Sequence, residues 1–471
     1  MRACTTEPKI RPFALASCPS QQFTACPDRF FVIRFMQTLQ TRDLIALGFM
    51  TFALFLGAGN IIFPPMVGLA AGEHLWSATL GFLLTGVGLP LLTVVALARM
   101  GGGMQTLTAP LGRVAGTLLG IAVYLTIGPL FATPRTATVS FEMGIAPFVG
   151  NGPGALLAYS AVYFGLSMLL ALYPGKLIDN VGKLITPVLI VALAVLGGAA
   201  VFLPAGTMLP SSGAYQNAAL AEGFIQGYQT MDALGALVFG IVIVNAIKDR
   251  GITDTRLHTR YAIIAGVIAA IGLSLVYISL MVLGAYSGSL VADASTGVEI
   301  LTTYVQHTFG TAGSLLLSAV ILLACLTTGV GLISACGVYF SRLIPGASYR
   351  TVVVIVSLAS MLFSNQGLEQ LIAVAVPVLV AIYPMAIALV CMSLLSRHWK
   401  HAPRVFIPVM LVALVFGLLN AAQAIGLTGW TPDWLEQLPG SALGMGWLLP
   451  VVATLLVCAV VDRLQPPPPR A

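Results

Sequence analysis

Two charged side chains fall where a chain this apolar has least room for charge. Arg135 lies inside an apolar run, and Asp232 follows Gln226, Gln229 and Thr230 in a segment otherwise long enough to cross a bilayer. A charge at membrane depth is expensive and faces protein or water rather than lipid. A third feature belongs to the backbone. Leu56-Gly57-Ala58-Gly59-Asn60 is followed by Phe63-Pro64-Pro65, again inside an apolar run. Glycine lowers helix propensity and proline removes a donor, so peptide groups are freed here. Freed backbone cannot face lipid; it lines a cavity or is buried in protein. The competing explanation is a glycine-packed helix crossing with a proline kink, which membrane bundles use widely. Asp232 has a plainer reading too, as a helix-cap or interface residue.

The elements that must carry these residues follow from composition. Of 471 residues, 58% are hydrophobic and 8% charged, with a mean hydropathy of +0.97. Soluble domains carry about 25% charged residues, so an ordinary globular enzyme is excluded, as is disorder. Apolar runs fall near 44–69, 76–98, 114–141, 154–173, 182–203, 223–247, 261–286, 311–341, 351–364, 368–395, 405–421 and 441–461. They predict an all-α integral membrane protein of about twelve transmembrane helices, with 351–364 and 368–395 as a helical hairpin turning at Ser364–Gly367. Every Lys and Arg except Arg135 lies in the segment 1–43, the even-numbered loops or the C-terminal tail. The odd-numbered loops carry acids instead: Glu73, Glu222, Asp293, Glu299, Glu369, Asp433 and Glu436. Positive residues stay cytoplasmic, so both termini are expected in the cytoplasm. Clustering on one face, as a nucleic-acid binder needs, is absent from this pattern, and no nucleic-acid partner is expected. Residues 1–40 read as a cytoplasmic tail, with Met36 a candidate start, 41–463 as the transmembrane domain, and 464–471 as a cytoplasmic proline-rich tail. The cysteines show no disulfide framework or metal spacing.

Interruptions in the first and sixth runs suggest two five-helix units of inverted topology, 1–5 and 6–10, followed by two C-terminal helices. In that design solute and ions bind at the midplane where the broken helices meet. Half-helix N-termini suit a carboxylate, freed carbonyls suit an ammonium group or sodium, and apolar neighbours accept an aliphatic substituent. The expected substrate-binding residues are Gly57, Ala58, Gly59, Asn60, Gln229, Thr230 and Asp232. Arg135 and Asp232 are expected as gating or coupling residues, either paired or separate.

The stretches Asp43–Met50, Phe55-Leu56-Gly57-Ala58-Gly59-Asn60-Ile61-Ile62-Phe63-Pro64-Pro65, Gly81–Pro90, Gly128–Ala137 and Gln229–Leu234 resemble bacterial branched-chain amino-acid transporters of the BrnQ type (the LIVCS family). The similarity runs from about Thr41 to the end of the last helix. It implies sodium-coupled uptake of leucine, isoleucine and valine across the inner membrane. More distantly, Gly57–Asn60 with Phe63-Pro64 is similar to the first broken helix of sodium-dependent amino-acid and neurotransmitter symporters. Extended residue by residue, that likeness implies a sodium site of Thr327 and Thr328 with the carbonyls of Ala53 and Leu56. It implies a second at the Phe55 carbonyl and the Asn60 side chain. Adjacent threonines in a spanning helix otherwise bond back to carbonyls one turn earlier.

No catalytic constellation is visible. The five histidines are expected in loops, and Gly101-Gly102-Gly103 lacks the Lys-Ser/Thr of a phosphate loop. With no ATPase domain expected, an ion gradient must supply the energy. Polar residues expected in only two broken helices favour a transporter over a channel. A proton-coupled or exporting transporter is the nearest alternative, with Asp232 as the proton carrier.

Overall fold

The computed structural model describes residues 39–464, apart from positions 253, 428–431, 433, 435 and 436. The tail at 1–35, the Met36 start, and residues 465–471 lie outside the described residues. All regular structure among the described residues is helical. In chain order the helices are α1 Thr41–Phe55, α2 Ala58–Ala71, α3 Leu75–Leu83, α4 Leu89–Arg99, α5 Met104–Thr108, α6 Arg113–Leu125, α7 Ala132–Gly144, α8 Ala146–Val149 and α9 Pro153–Leu172. They continue with α10 Pro174–Phe202, α11 Tyr215–Gln226, α12 Asp232–Lys248, α13 Thr255–Ala285, α14 Gly297–Leu343, α15 Tyr349–Ser364, α16 Leu368–Leu394, α17 Ala402–Ala424 and α18 Leu448–Leu464.

The apolar runs fall largely on helix, the last of them only from Leu448 onward. Among the described residues seven continuous helical stretches, with Ala58–Met100 and Arg113–Gly144 each counted as one, are long and apolar enough to cross a membrane, or eight when the bent pair α11 and α12 is taken as one span. The hairpin between α15 and α16 turns at Gly367, whose φ of 85° suits glycine. Side chains close several helix starts, as N-caps do. Asp254 accepts from the Arg256 amide at 2.8 Å ahead of α13, and Ser348 from the Thr351 amide at 3.1 Å ahead of α15. Asp462, buried near the end of α18, accepts from the Lys400 and His401 amides at 2.7 and 2.9 Å. That tie anchors the last helix to the start of α17.

Four features differ from the sequence reading. The sixth run is helical from Tyr215, earlier than expected. The eighth continues a helix that begins at Gly297 and bends at Gly310. His258 and His307 therefore lie in helices rather than loops, and His258 is buried with its Nε2 2.7 Å from the Ile252 carbonyl. The third run is broken by a π-helical turn at Thr126–Leu130, where Gly128 has ψ of −113°.

The packing pattern exchanges the two halves. The first broken helix, α1 and α2, packs along α13, while α11 packs on α3 and α12 on α4. First helix on seventh and sixth on second is the reciprocity an inverted repeat requires. Glycines set the closeness: a Cβ on Gly68 or Gly284 would overlap the Met281 or Pro65 carbonyl across the α2–α13 seam. Gly81 and Gly223 meet the Leu220 and Ala78 carbonyls across α3 and α11 in the same way. Small residues permit such backbone-to-backbone contact in lipid, where hydrophobicity alone does not join helices.

Candidate substrate and ion site

The first helix breaks where its glycines stand. α1 ends at Phe55, Gly57 is extended (φ −110°, ψ −169°), and α2 restarts at Ala58. The Asn60 side-chain oxygen accepts from the Gly57 amide at 3.1 Å, closing one of the exposed donors. In the sixth helix α11 passes through a 3₁₀ turn at Gly227–Thr230 into Met231, the one non-glycine residue among those described with positive φ (62°). α12 then restarts at Asp232, bent 42° from the half before it.

The two breaks touch. A Cβ on Gly59 would lie 3.2 Å from both the Gln229 carbonyl oxygen and the Thr230 Cα. Asn60 donates to Asp232 Oδ2 at 2.6 Å, and the Tyr277 hydroxyl from α13 donates to the same oxygen at 2.5 Å. Asn60 and Tyr277 are also in contact with each other. Tyr277 is held edge-on against Phe82, with ring centroids 5.2 Å apart.

Arg135 reaches this junction from α7. It is 3% exposed, its Cζ stands 5.3 Å from the Phe63 ring centre, and Nε and Nη1 have no hydrogen-bond partner. Nη2 lies 2.8 Å from where a Gly59 Cβ would be. Around it Thr133, Thr136, Thr138 and Ser140 are buried, so polar residues occupy a third helix and not the two broken ones alone.

A narrow cavity of about 30 Å³ joins these groups. It is lined by Phe55, Gly57, Ala58, Gly59, Asn60, Arg135, Thr136, Thr230, Asp232 and Thr328, with Leu54, Ile127, Phe239 and Leu332 supplying apolar wall. Gln229 is buried with its side-chain carbonyl oxygen unpartnered, but it is not part of that lining. Arg135 and Asp232 face one cavity, yet no ion pair joins them. Thr328 crosses from α14 to donate to the Leu56 carbonyl at 3.1 Å. Thr327 turns back to the Ala324 carbonyl of its own helix at 2.9 Å. Ala53 is half-buried one turn before Leu56, and Phe55 packs edge-on against Phe239.

Tyr277 and the turn at Gly128-Pro129 are the parts that sequence reasoning missed. A single tyrosine in an apolar run carries little signal, whereas a Gly-Pro pair inside a spanning run could have been read as a break.

Helices interrupted in pairs around an interior cavity are the architecture of a secondary membrane transporter. Solved structures bear out the fold. The chain superimposes on MhsT in complex with L-phenylalanine with a TM-score of 0.57 at 16% identity, over 90% of this chain and 99% of that one. The likeness to Mhp1, a nucleobase-cation-symport-1 family transporter, has a TM-score of 0.52 at 14% identity, over 89% of this chain and 92% of that one. At such identities the likeness concerns fold alone. Residues 40–465 match the branched-chain amino acid transport protein family, and the chain belongs to it. It is 63% identical to the branched-chain amino acid transport system 2 carrier protein of Pseudomonas aeruginosa, over 93% of this chain and all of the relative. It is 54% identical to the branched-chain amino acid permease BrnQ of Escherichia coli K12, over 90% and 97%. The chain is thus a multi-pass membrane transporter of this family and not an enzyme.

Proposed function

We propose that the chain imports leucine, isoleucine and valine across the bacterial inner membrane by alternating access, drawing on a sodium gradient. The observation that carries this reading is the meeting of two broken helices around one cavity lined by both polar groups and aliphatic and aromatic side chains. Relatives named for branched-chain substrates support the solute. The distribution of Lys and Arg supports cytoplasmic termini.

Sodium is read as a co-transported substrate. The Thr328 hydroxyl and Leu56 carbonyl, 3.1 Å apart, are neutral oxygens suited to a weakly held monovalent ion that must be released inside. Ala53 and Thr327 are the remaining candidates, although neither lines the cavity and the Thr327 hydroxyl serves its own helix. Phe55 and Asn60 form a second and poorer candidate, since Asn60 already serves Gly57, Asp232 and Tyr277. The buried Asp232 carboxylate favours one rival, coupling to protons instead.

Leucine uptake into proteoliposomes under an imposed sodium or pH gradient separates the two. Sodium coupling requires uptake that follows the sodium gradient. Thr328→Ala should then raise the sodium concentration for half-maximal uptake several-fold, and Thr327→Ala should raise it less. Equal uptake on a pH gradient without sodium would transfer coupling to protons.

A further inference from the structure

Arg135 and Asp232 are opposite charges that line one cavity without meeting. The Asp232 carboxylate takes hydrogen bonds from two neutral donors, Asn60 and Tyr277, both on Oδ2. It stands in the first turn of α12, where the positive end of the helix favours an anion. The guanidinium has less: the Phe63 face lies near it, but Nε and Nη1 are buried without an acceptor. A buried charge without its counterpart is costly, and so is a buried donor without an acceptor. The fold keeps this cation beside the N-terminus of α2, which itself attracts anions.

We propose that Arg135 receives the carboxylate of the transported amino acid and that Asp232 receives its ammonium group. The solute would then bridge the two charges, a role distinct from gating. The proposal rests on the reading of the chain as an amino-acid transporter. A guanidinium fork suits a carboxylate through two parallel bonds, and the leading amides of α2 stand on the same side. The side chain of the solute is left to the apolar wall of Ile127, Phe55 and Phe239. Recognition is therefore of a dipolar ion. A solute with one charge leaves the opposite, buried protein charge unpaired, so it loses a bond and retains a burial cost.

Binding by the full-length protein in detergent, with sodium present, tests the assignment with three probes measured by calorimetry. These are leucine, 3-methylbutylamine (leucine without its carboxylate) and 4-methylpentanoate (leucine without its ammonium group). Wild-type protein should bind each single-charge probe at least about tenfold more weakly than leucine. Arg135→Gln should weaken leucine by at least about tenfold and leave 3-methylbutylamine unchanged or tighter. Asp232→Asn should weaken leucine while leaving 4-methylpentanoate unchanged or tighter. Arg135→Lys keeps the charge and should keep the preference for leucine over the amine, at lower affinity. A purely structural role for Arg135 would weaken all three probes alike and would overturn the assignment. If Arg135→Gln does not fold, comparable wild-type binding of the three probes, or loss of that preference in Arg135→Lys, overturns it instead. Leucine bound with unchanged ratios rejects this assignment only, whereas wild-type protein that binds no leucine rejects the transport reading and this proposal together.

Discussion

At Gly59 a methyl group would lie 2.8 Å from Arg135 Nη2 and 3.2 Å from two backbone atoms of the second break, while at Gly57 it would lie 3.1 Å from the Thr328 methyl. The two positions differ in what can yield. Backbone held by its own helix cannot, so Gly59→Ala should separate the breaks, cost about 1–3 kcal/mol of stability, and abolish leucine uptake. The Thr328 side chain can turn about its χ1, so Gly57→Ala should fold and transport, with a raised sodium requirement. Uptake at the wild-type rate by Gly59→Ala, in protein of unchanged melting temperature, would show that the close approach is not required.

Among the elements, the tie made by Asp462 is the easiest to isolate, because it lies away from the cavity. Its carboxylate takes two amides that lead into α17. Asp462→Ala should lower stability by about 1–3 kcal/mol without changing sodium dependence, and thermal unfolding in detergent reads that loss; an unmoved transition would make the bond incidental. The same scale explains what the sequence made legible. Gly57, Gly59 and the following prolines disfavour helix on their own, so the first break could be located from residue types. Met231 has no such preference: its positive φ is imposed by the surrounding packing, and only the polar residues before it marked the region. Gly128-Pro129 disfavours helix in the same way as Gly57 and Gly59, so that break too was open to reading from residue types. His258 and His307 were misplaced for another reason. Hydropathy marks the part of a helix that lies in lipid, and α13 and α14 extend beyond it, started by Asp254 and Thr296 in polar sequence. Of the site, Gly57, Gly59, Asn60, Arg135, Thr230 and Asp232 were legible as polar or helix-breaking residues in apolar runs. Tyr277 was not, since its role arises only once α13 is laid against the first broken helix.

For the molecule as a whole, the glycine seams and the breaks have opposite effects. The seams lock α2 to α13 and α3 to α11 by backbone contact, so each pair is expected to move as a body, and relative motion is left to the breaks. Orientation is testable with single cysteines in a chain whose native cysteines are replaced. Ser212→Cys, exposed between α10 and α11, should react with an impermeant thiol reagent added to intact cells, and Asp249→Cys, exposed between α12 and α13, should not. The opposite labelling pattern would invert the proposed topology.

The polar face of α7 also bears on how the chain is made. A membrane protein enters the bilayer span by span as it leaves the ribosome, and an arginine at mid-span opposes insertion by about 2.5–3.5 kcal/mol. The helix that packs most extensively along α7 is α14, which begins at Gly297, about 150 residues after α7 ends at Gly144. At ~5–20 residues per second the third span waits roughly 8–30 s for that partner. A segment covering 113–144 should therefore insert inefficiently when presented alone in a glycosylation-mapping assay, and Arg135→Leu should raise the inserted fraction. Efficient insertion of the unaltered segment would mean that its own threonines and serine are enough to shelter the cation. During synthesis the residue assigned to hold the solute is then the one that most needs shelter, from a neighbouring span or from the insertion machinery, until α14 arrives.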